Sequence, residues 1–241
     1  MHAGATSLVG TVRRHNEDAC RAEEELGLFV VADGLGGHRA GEHASNMAVE
    51  VLAHTLQMAR DNGDPPDLDL VLDAFDRANH GILTDARDSP EREGMGTTLT
   101  AIVVDGEQLL LGHVGDSRAW RVRDGVIEQL TQDHTVVGQQ VRDGVLTEAD
   151  AENHPMRHVL SRCLGVHEEI EVDLAEGALT PGDVYVLASD GLVPSTPAAE
   201  IARIVEENRE AAIAAEVLAK RACELDGRDN ITVVVVVCAE D

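Results

Sequence analysis

The sequence predicts an α+β fold, an α/β/β/α sandwich of two antiparallel sheets flanked by helices. Short strand-like segments follow one another and are joined by Asp-Gly turn signals, which indicates antiparallel pairing. Pairs of segments with apolar residues at helical spacing separate the groups of strands. The last segment, Ile231–Val237, is uniformly apolar, as expected of a strand buried on both faces. Two sheets packed face to face, with helices outside, would bury all of these surfaces.

The individual elements follow from the apolar pattern and the turn residues. The expected strands are residues 28–32, 97–104, 108–114, 118–123, 126–130, 169–174, 184–189 and 231–237. The expected helices are residues 41–59, 70–86, 198–207 and 209–224. Asp105-Gly106 and Asp124-Gly125 are hairpin turn signals, and Pro181-Gly182 is expected to join the strands on either side of it. Residues 133–165 are polar and irregular, with room for one helix and a turn.

The composition is that of one globular domain, expected to span residues 1–241 as a monomer. The chain is 43% hydrophobic, but only 2% aromatic, so its core must be built from small aliphatic side chains. A formal net charge of −26 should repel nucleic acid and anionic membranes, so neither is an expected partner. The four cysteines lack metal or redox spacing, which favours a reducing, cytoplasmic location.

Targeting and membrane signals are not expected in this sequence. The first ten residues lack a basic segment followed by an apolar run, so no signal peptide is predicted. The longest unbroken apolar run, residues 233–239, is too short to cross a bilayer.

Four aspartates lie at the ends of predicted strands. Asp33, Asp116 and Asp190 each follow a strand, and Asp229 precedes the last one; each adjoins a glycine or an asparagine. One such residue alone is typical of an ordinary turn. Four converging carboxylates would repel one another unless a cation lay between them. Oxygen ligands favour Mg²⁺, Mn²⁺ or Ca²⁺ over zinc, so the sequence predicts a hard-metal centre.

Other phosphate-handling and metal-binding patterns are not found. No cysteine is followed six residues later by arginine, and neither a G-x-x-x-x-G-K-[ST] loop nor a G-x-S-x-G elbow occurs. His154 and His158 have the spacing of zinc ligands on a helix, but no glutamate follows His154 and Pro155 disfavours a regular helix there. Zinc is therefore not expected.

Seven ordered motifs resemble those of bacterial PP2C-type (PPM) phosphatases, from about residue 9 to residue 237. They are Arg13-Arg14-His15-Asn16-Glu17-Asp18, Val31-Ala32-Asp33-Gly34-Leu35-Gly36-Gly37-His38, Gly96-Thr97-Thr98, Val114-Gly115-Asp116-Ser117-Arg118, Thr131-Gln132-Asp133-His134, Ser189-Asp190-Gly191-Leu192 and Asp229-Asn230. One Asp-Gly pair is uninformative, but seven motifs in the family's order are highly specific.

The resemblance implies a metal-dependent hydrolase that removes phosphate from phosphoserine and phosphothreonine in proteins. A hydroxide bridging two Mn²⁺ or Mg²⁺ ions would attack phosphorus directly, without a phosphoenzyme. By the same resemblance, Asp33 would bridge the ions. Glu17 and the backbone carbonyl of Gly34 would complete one ion's protein ligands, and Asp190 and Asp229 would hold the other ion.

The resemblance also implies roles around the two ions. Asp18 would orient metal-bound water, and Arg13 would bind the substrate phosphate, for which a guanidinium fork is well suited. Asp116, together with Asp190, would form a weaker third metal site.

The general acid remains open at the level of sequence. Eukaryotic members of the family place a histidine directly after the Asp-Gly pair, and this chain has Leu35 there. His38 and a metal-bound water are the two candidates for protonating the leaving group.

Residues 133–165 resemble the flap that lies beside the catalytic centre of bacterial family members. The segment contains Gly138, Gly144 and Pro155, as is typical of a functional loop. Such a flap would select among phosphoprotein substrates of a serine/threonine kinase, and Arg142 and Arg157 are its candidate substrate contacts.

Two other functions are compatible with parts of the sequence. A two-metal phosphohydrolase acting on small phosphate esters would need the same ions. A non-catalytic sensor with a phosphatase fold would be expected to lose metal ligands. Glu17, Asp33, Asp190 and Asp229 are all present, which disfavours the sensor.

Overall fold

The computed structural model describes residues 1–36, 39–152, 154–193 and 195–239, and these residues form eleven strands and six α-helices. The strands are β1 His2–Leu8, β2 Asp18–Glu23, β3 Leu28–Leu35, β4 Gly96–Thr97, β5 Leu99–Asp105, β6 Gln108–Val114, β7 Arg118–Arg123, β8 Val126–Gln129, β9 Asp173–Ala178, β10 Val184–Ala188 and β11 Ile231–Val237. The helices are α1 Arg39–Asn62, α2 Leu68–Asp88, α3 Val136–Arg142, α4 Glu148–Glu152, α5 Ala198–Glu207 and α6 Ala211–Leu225.

The strands form two antiparallel sheets, as predicted. One sheet has the order β1-β11-β10-β7-β8, and the other has the order β2-β3-β5-β6-β9, with β4 pairing with the end of β3. Helices α1 and α2 cover the second sheet, and α5 and α6 cover the first. The α/β/β/α sandwich is therefore confirmed. None of the described helices combines the length and the apolar character needed to span a bilayer.

Three apolar layers hold the sandwich together, and β3 contributes to two of them. Its residues Leu28 and Val30 pack against α1 and α2, whereas Phe29 and Val31 lie between the sheets. The same alternation occurs in β11, where even-numbered valines face the other sheet and odd-numbered ones face α5 and α6. A strand buried on both faces needs no polar alternation, which explains its uniformly apolar sequence.

Strand β3 continues further than its apolar run. It was expected to end at Ala32, but Gly34 and Leu35 pair with Thr97 and Gly96 of β4. Asp33 consequently lies within a strand rather than after one, and its backbone is held on both sides.

One predicted strand pair is wrong. The strand expected at residues 169–174 begins instead at Asp173, and β9 pairs with β6 of the second sheet. Strand β10 pairs with β7 and β11 of the first sheet. Pro181-Gly182 therefore carries the chain from one sheet to the other, because a turn signal alone does not specify which sheet its flanking strands join.

The segment 133–165 is anchored at both ends. It contains the short helices α3 and α4, and isolated bridges join Thr135 to Leu160 and Thr97 to Leu164. The backbone N–H of Ser161 also donates to the carbonyl of His134. These bonds bring the two ends of the segment together beside the ends of β4 and β6.

Candidate metal centre

The pairing of β2 with β3 places Asp18 directly opposite Asp33. The Asp33 backbone is held by two threonines: its N–H donates to Thr98 Oγ1 at 2.8 Å, and its carbonyl accepts from Thr97 Oγ1 at 2.9 Å. These contacts fix the backbone from which the Asp33 carboxylate projects. Both threonines belong to a motif, but nothing in the sequence indicated that they support Asp33.

The other sheet brings Asp190 and Asp229 to one edge. Strands β10 and β11 are antiparallel neighbours, with Ala188 opposite Val233, so the end of one strand adjoins the start of the other. Asp229 is ion-paired with Arg13, whose Nη2 lies 2.7 Å from Asp229 Oδ2. The structure thus brings together three of the residues that the sequence singled out.

Four of the predicted aspartates lie near enough to Asp33 to affect its ionisation. The pKa of Asp33 lies well above its ordinary value, first because of burial and then because of nearby negative charge. The carboxylates that contribute are Asp18, Asp190, Asp116 and Asp229. Burial, followed by the charge of Asp190 and then of Asp133, raises the pKa of Asp116 to about 7. Such a cluster favours a cation at its centre.

Asp18 carries a polar atom that the described protein does not satisfy. Its Oδ2 accepts a hydrogen bond from Ser189 Oγ at 2.7 Å, whereas its buried Oδ1 has no hydrogen-bond partner among the described residues. Burial raises the pKa of Asp18 to about 7, against the hydrogen bonds that lower it. A buried acceptor without a protein partner is normally satisfied by water or an ion.

Glu17 and Gly34 present two oxygens to the same small space. A Cβ added to Gly41 would lie 2.2 Å from Glu17 Oε2 and 3.0 Å from the Gly34 carbonyl oxygen. The space therefore stays open to both oxygens only because residue 41 is a glycine. These are the two oxygens that the family resemblance implies for one ion, and oxygen donors suit Mn²⁺ and Mg²⁺.

Asn230 holds the loop before β2 against the start of β11. Its Nδ2 donates to the carbonyls of Val9 and His15 at 2.9 and 3.0 Å, and its Oδ1 accepts from the Glu17 backbone N–H at 2.9 Å. The motif contained this asparagine, but its clamping role depends on contacts with residues more than 200 positions away.

Asp116 projects from the connection between the two sheets. The preceding Gly115 has φ 117°, and its backbone exchanges hydrogen bonds with His134. His134 Nδ1 accepts from the Gly115 N–H at 3.1 Å, and the His134 N–H donates to the Gly115 carbonyl at 2.7 Å. The first residues of the segment 133–165 thereby position the loop that carries Asp116.

The segment 133–165 also reaches the carboxylates directly. His158 Nδ1 lies 3.7 Å from Asp190 Oδ2, and Arg157 and His158 line a cleft of about 430 Å³ with Asp190 and Asp229. Arg142 does not take part, because it donates to the Asp133 carbonyl and to the Gln139 side chain within its own helix region. Of the two candidate substrate contacts, only Arg157 faces this cleft.

The carboxylates are near one another without already forming a complete ligand set. Among the described residues, no group of three or more His, Cys, Asp or Glu side chains is arranged to hold a metal ion. Arg13 pairs with Asp229 and offsets part of its charge, and the His158 ring lies beside Asp190. The sequence-predicted His38 lies outside the described residues.

Comparisons with known proteins agree with this arrangement. The protein phosphatase 2C family matches residues 11–220. The serine/threonine phosphatase stp of Listeria innocua is 35% identical over 240 residues, covering 98% of this chain and 95% of the relative. The serine/threonine protein phosphatase PstP of Mycobacterium tuberculosis is 42% identical over 240 residues, covering 98% of this chain and 44% of the relative.

Solved structures of related phosphatases superpose on nearly all of this chain. The M. tuberculosis phosphatase PstP/Ppp superposes with a TM-score of 0.91 at 38% identity, covering 99% of both chains. The catalytic domain of PstP in complex with two manganese ions superposes with a TM-score of 0.87 at 36% identity, covering 99% of this chain and 98% of the other.

The two-sheet sandwich is the fold of the matched phosphatases, one of which binds two manganese ions. The chain belongs to the protein phosphatase 2C family, and its activity is that of a metal-dependent serine/threonine protein phosphatase. The alternative of an esterase for small phosphates is not favoured, because the relatives that match along the whole chain are protein phosphatases.

Proposed function

We propose that this chain dephosphorylates phosphoserine and phosphothreonine in the protein substrates of a serine/threonine kinase. The observation that carries the proposal is the arrangement of carboxylates near Asp33: Asp18 lies opposite it in β2, and Asp190 and Asp229 lie at the adjoining ends of β10 and β11. The chain would act as a cytoplasmic monomer, with residues 1–241 forming one phosphatase domain and residues 133–165 its flap. Turnover of a phosphopeptide with and without Mn²⁺ tests the proposal; hydrolysis of sugar phosphates alone would contradict it.

The donor set fits Mn²⁺ or Mg²⁺, with two ions in the core site. Asp33 would lie between the ions, Glu17 and the Gly34 carbonyl would bind one, and Asp190 and Asp229 would bind the other. The shared opening left by residue 41 and the exclusively oxygen donors support this assignment. When bound, two such ions would activate a water molecule and offset the charge of the phosphoryl oxygens.

The protein's own residues would bind the substrate and orient water. The unsatisfied Oδ1 of Asp18 would accept a hydrogen bond from a water molecule at the site. The Arg13 side chain is 49% exposed and borders the cluster through Asp229, so its remaining N–H groups can bind a phosphate. The proton for the leaving oxygen would come from His38 or from water.

Replacing Arg13 by alanine should raise KM for a phosphopeptide by roughly tenfold and lower kcat by much less. The reason is that the guanidinium binds phosphate in the ground state as well as in the transition state. Steady-state kinetics at saturating Mn²⁺ would measure both constants. Arg14→Ala is the matched control, since this neighbouring arginine is exposed and has no ion pair with a described residue. An unchanged KM in Arg13→Ala would show that the role is wrongly assigned.

Replacing Asp116 by alanine should leave the two core ions in place but reduce phosphopeptide turnover, on the order of tenfold. We propose that Asp116 and Asp190 hold a third ion, and a site with few protein ligands binds its ion weakly. Metal content after desalting would report whether the core ions are retained, and turnover at increasing Mn²⁺ would report the loss of the weaker ion. A structure of the variant in which the core ions are lost or displaced would contradict a separate third site.

A further inference from the structure

Arg157 differs from the other arginines of this acidic chain by its position: among the described arginines without an ion pair, which include Arg14, Arg60 and Arg142, it is the one that lines the cleft with Asp190 and Asp229. The protein has 45 acidic residues against 19 lysines and arginines, and most of its described arginines form ion pairs. Arg157 is exposed and forms no ion pair with any described residue, although it shares a cleft with three aspartates. An arginine kept free of acids in such a chain is available to an anion from outside.

A second arginine lines the same cleft. Arg228 directly precedes Asp229, and its side chain is 79% exposed. Among the described residues Asp226 alone binds this side chain, at Nε, so the terminal N–H groups have no partner in that part of the chain. The cleft of about 430 Å³ therefore has acidic groups toward the metal centre and two exposed guanidinium groups on its lining.

The position of the cleft ties it to the substrate phosphate. Asp229 lines the cleft and also binds Arg13, the arginine proposed to hold the phosphate. The apolar side chain of Leu225 is 44% exposed and lines the cleft as well. A peptide whose phosphoresidue lies at Arg13 would thus pass Arg157 and Arg228 within a few residues.

We propose that Arg157 and Arg228 form a subsite for an acidic side chain of the substrate, a glutamate or aspartate close to the phosphoresidue. The inference rests on the proposed phosphopeptide hydrolase function and adds a substrate class to it. Guanidinium groups bind carboxylates through paired N–H donors. Because the chain as a whole repels acidic substrates, these two guanidinium groups would decide whether an acidic flank is accepted.

The experiment compares kcat/KM for phosphothreonine peptides of equal length, with glutamates, alanines or lysines on both sides of the phosphothreonine. The unmodified protein with Mn²⁺ should prefer the glutamate peptide over the alanine peptide by on the order of fivefold, and added salt should reduce the preference. Arg157→Gln should remove most of this preference, and it should lower kcat/KM for p-nitrophenyl phosphate by a smaller factor than for the glutamate peptide. Arg157→Glu should reverse it in favour of the lysine peptide.

Arg142→Gln is the matched control, because it makes the same substitution in the same segment at a side chain that does not line the cleft. It should keep the preference of the unmodified protein. If the unmodified protein turned over the alanine and glutamate peptides equally well, the subsite would be overturned but the phosphatase function would stand. The same conclusion would follow if Arg157→Gln lowered kcat/KM equally for all three peptides. Absence of Mn²⁺-dependent turnover of every phosphopeptide would overturn the proposed function and the subsite with it.

Discussion

Asparagine in place of Asp33 should reduce kcat by roughly a thousandfold or more, because a metal site of this kind contributes several kcal/mol to the reaction. The amide keeps the shape of the side chain but removes the charge proposed to lie between the two ions. Chelation of the unmodified protein with EDTA should reduce activity to a similar level, and Mn²⁺ should restore it. Initial rates at saturating phosphopeptide would measure the change.

The same substitution should stabilise the metal-free protein at neutral pH. In the folded state, burial and neighbouring carboxylates raise the pKa of Asp33, Asp18 and Asp116 above the unfolded value of about 4. The folded state therefore binds more protons, and stability falls as pH rises from about 4 toward these raised pKa values. Asp33→Asn removes one charge from the cluster. The melting temperature of this variant should therefore fall less over this pH range than that of the unmodified protein.

Asp64→Asn provides the control for both effects. Asp64 is exposed in the loop after α1, so the same chemical change there should alter neither kcat nor the pH dependence of stability. An Asp33→Asn protein with near-normal kcat would contradict the bridging role. If the melting temperature of the Asp33→Asn protein fell as steeply with rising pH as that of the unmodified protein, charge at Asp33 would not be a cause of the pH dependence.

The elements that could be predicted from sequence are those whose apolar residues are spaced as their burial in the sandwich requires. Strands β6, β7 and β11 and helix α5 begin and end at the predicted residues. Strands β1 and β2 were not predicted, because β1 consists largely of small or polar residues and β2 is mostly polar or only half-buried. They are defined by pairing with β11 and β3, which a local pattern cannot reveal.

The residues of the candidate site also divide into those that a local sequence pattern reveals and those that it does not. Asp33, Asp190 and Asp229 could be found because each lies close to an apolar run of the sequence, and in the structure Asp190 and Asp229 lie near enough to Asp33 to affect its ionisation. The supporting contacts could not be found, because they join distant parts of the chain. Asn230 binds the carbonyls of residues 221 and 215 positions away, and Ser189 donates to a carboxylate 171 positions away. Such contacts depend on the closed sandwich.

Alanine in place of Gly41 should lower Mn²⁺ affinity and turnover by roughly ten- to a hundredfold while leaving the protein folded. The added Cβ would lie 2.2 Å from Glu17 Oε2 and 2.9 Å from the Gly34 carbonyl carbon, so both of the oxygen donors proposed for one ion would have to shift. Alanine is also favoured over glycine within a helix by about 1 kcal/mol. The cost should therefore fall on the metal site. Calorimetric Mn²⁺ titration, kcat/KM and the melting temperature would measure these effects.

Gly81→Ala makes the same substitution in the middle of α2, where the new Cβ would meet only Met47 Sδ at 3.5 Å, an ordinary contact. This control should be at least as stable as the unmodified protein, and its metal affinity and activity should be unchanged. If Gly41→Ala bound Mn²⁺ as tightly as Gly81→Ala, Glu17 would not be a ligand that depends on this opening. If Gly41→Ala instead unfolded, the collision with the Gly34 backbone, at 2.9 Å from its carbonyl carbon, would outweigh the mobility of the Glu17 side chain.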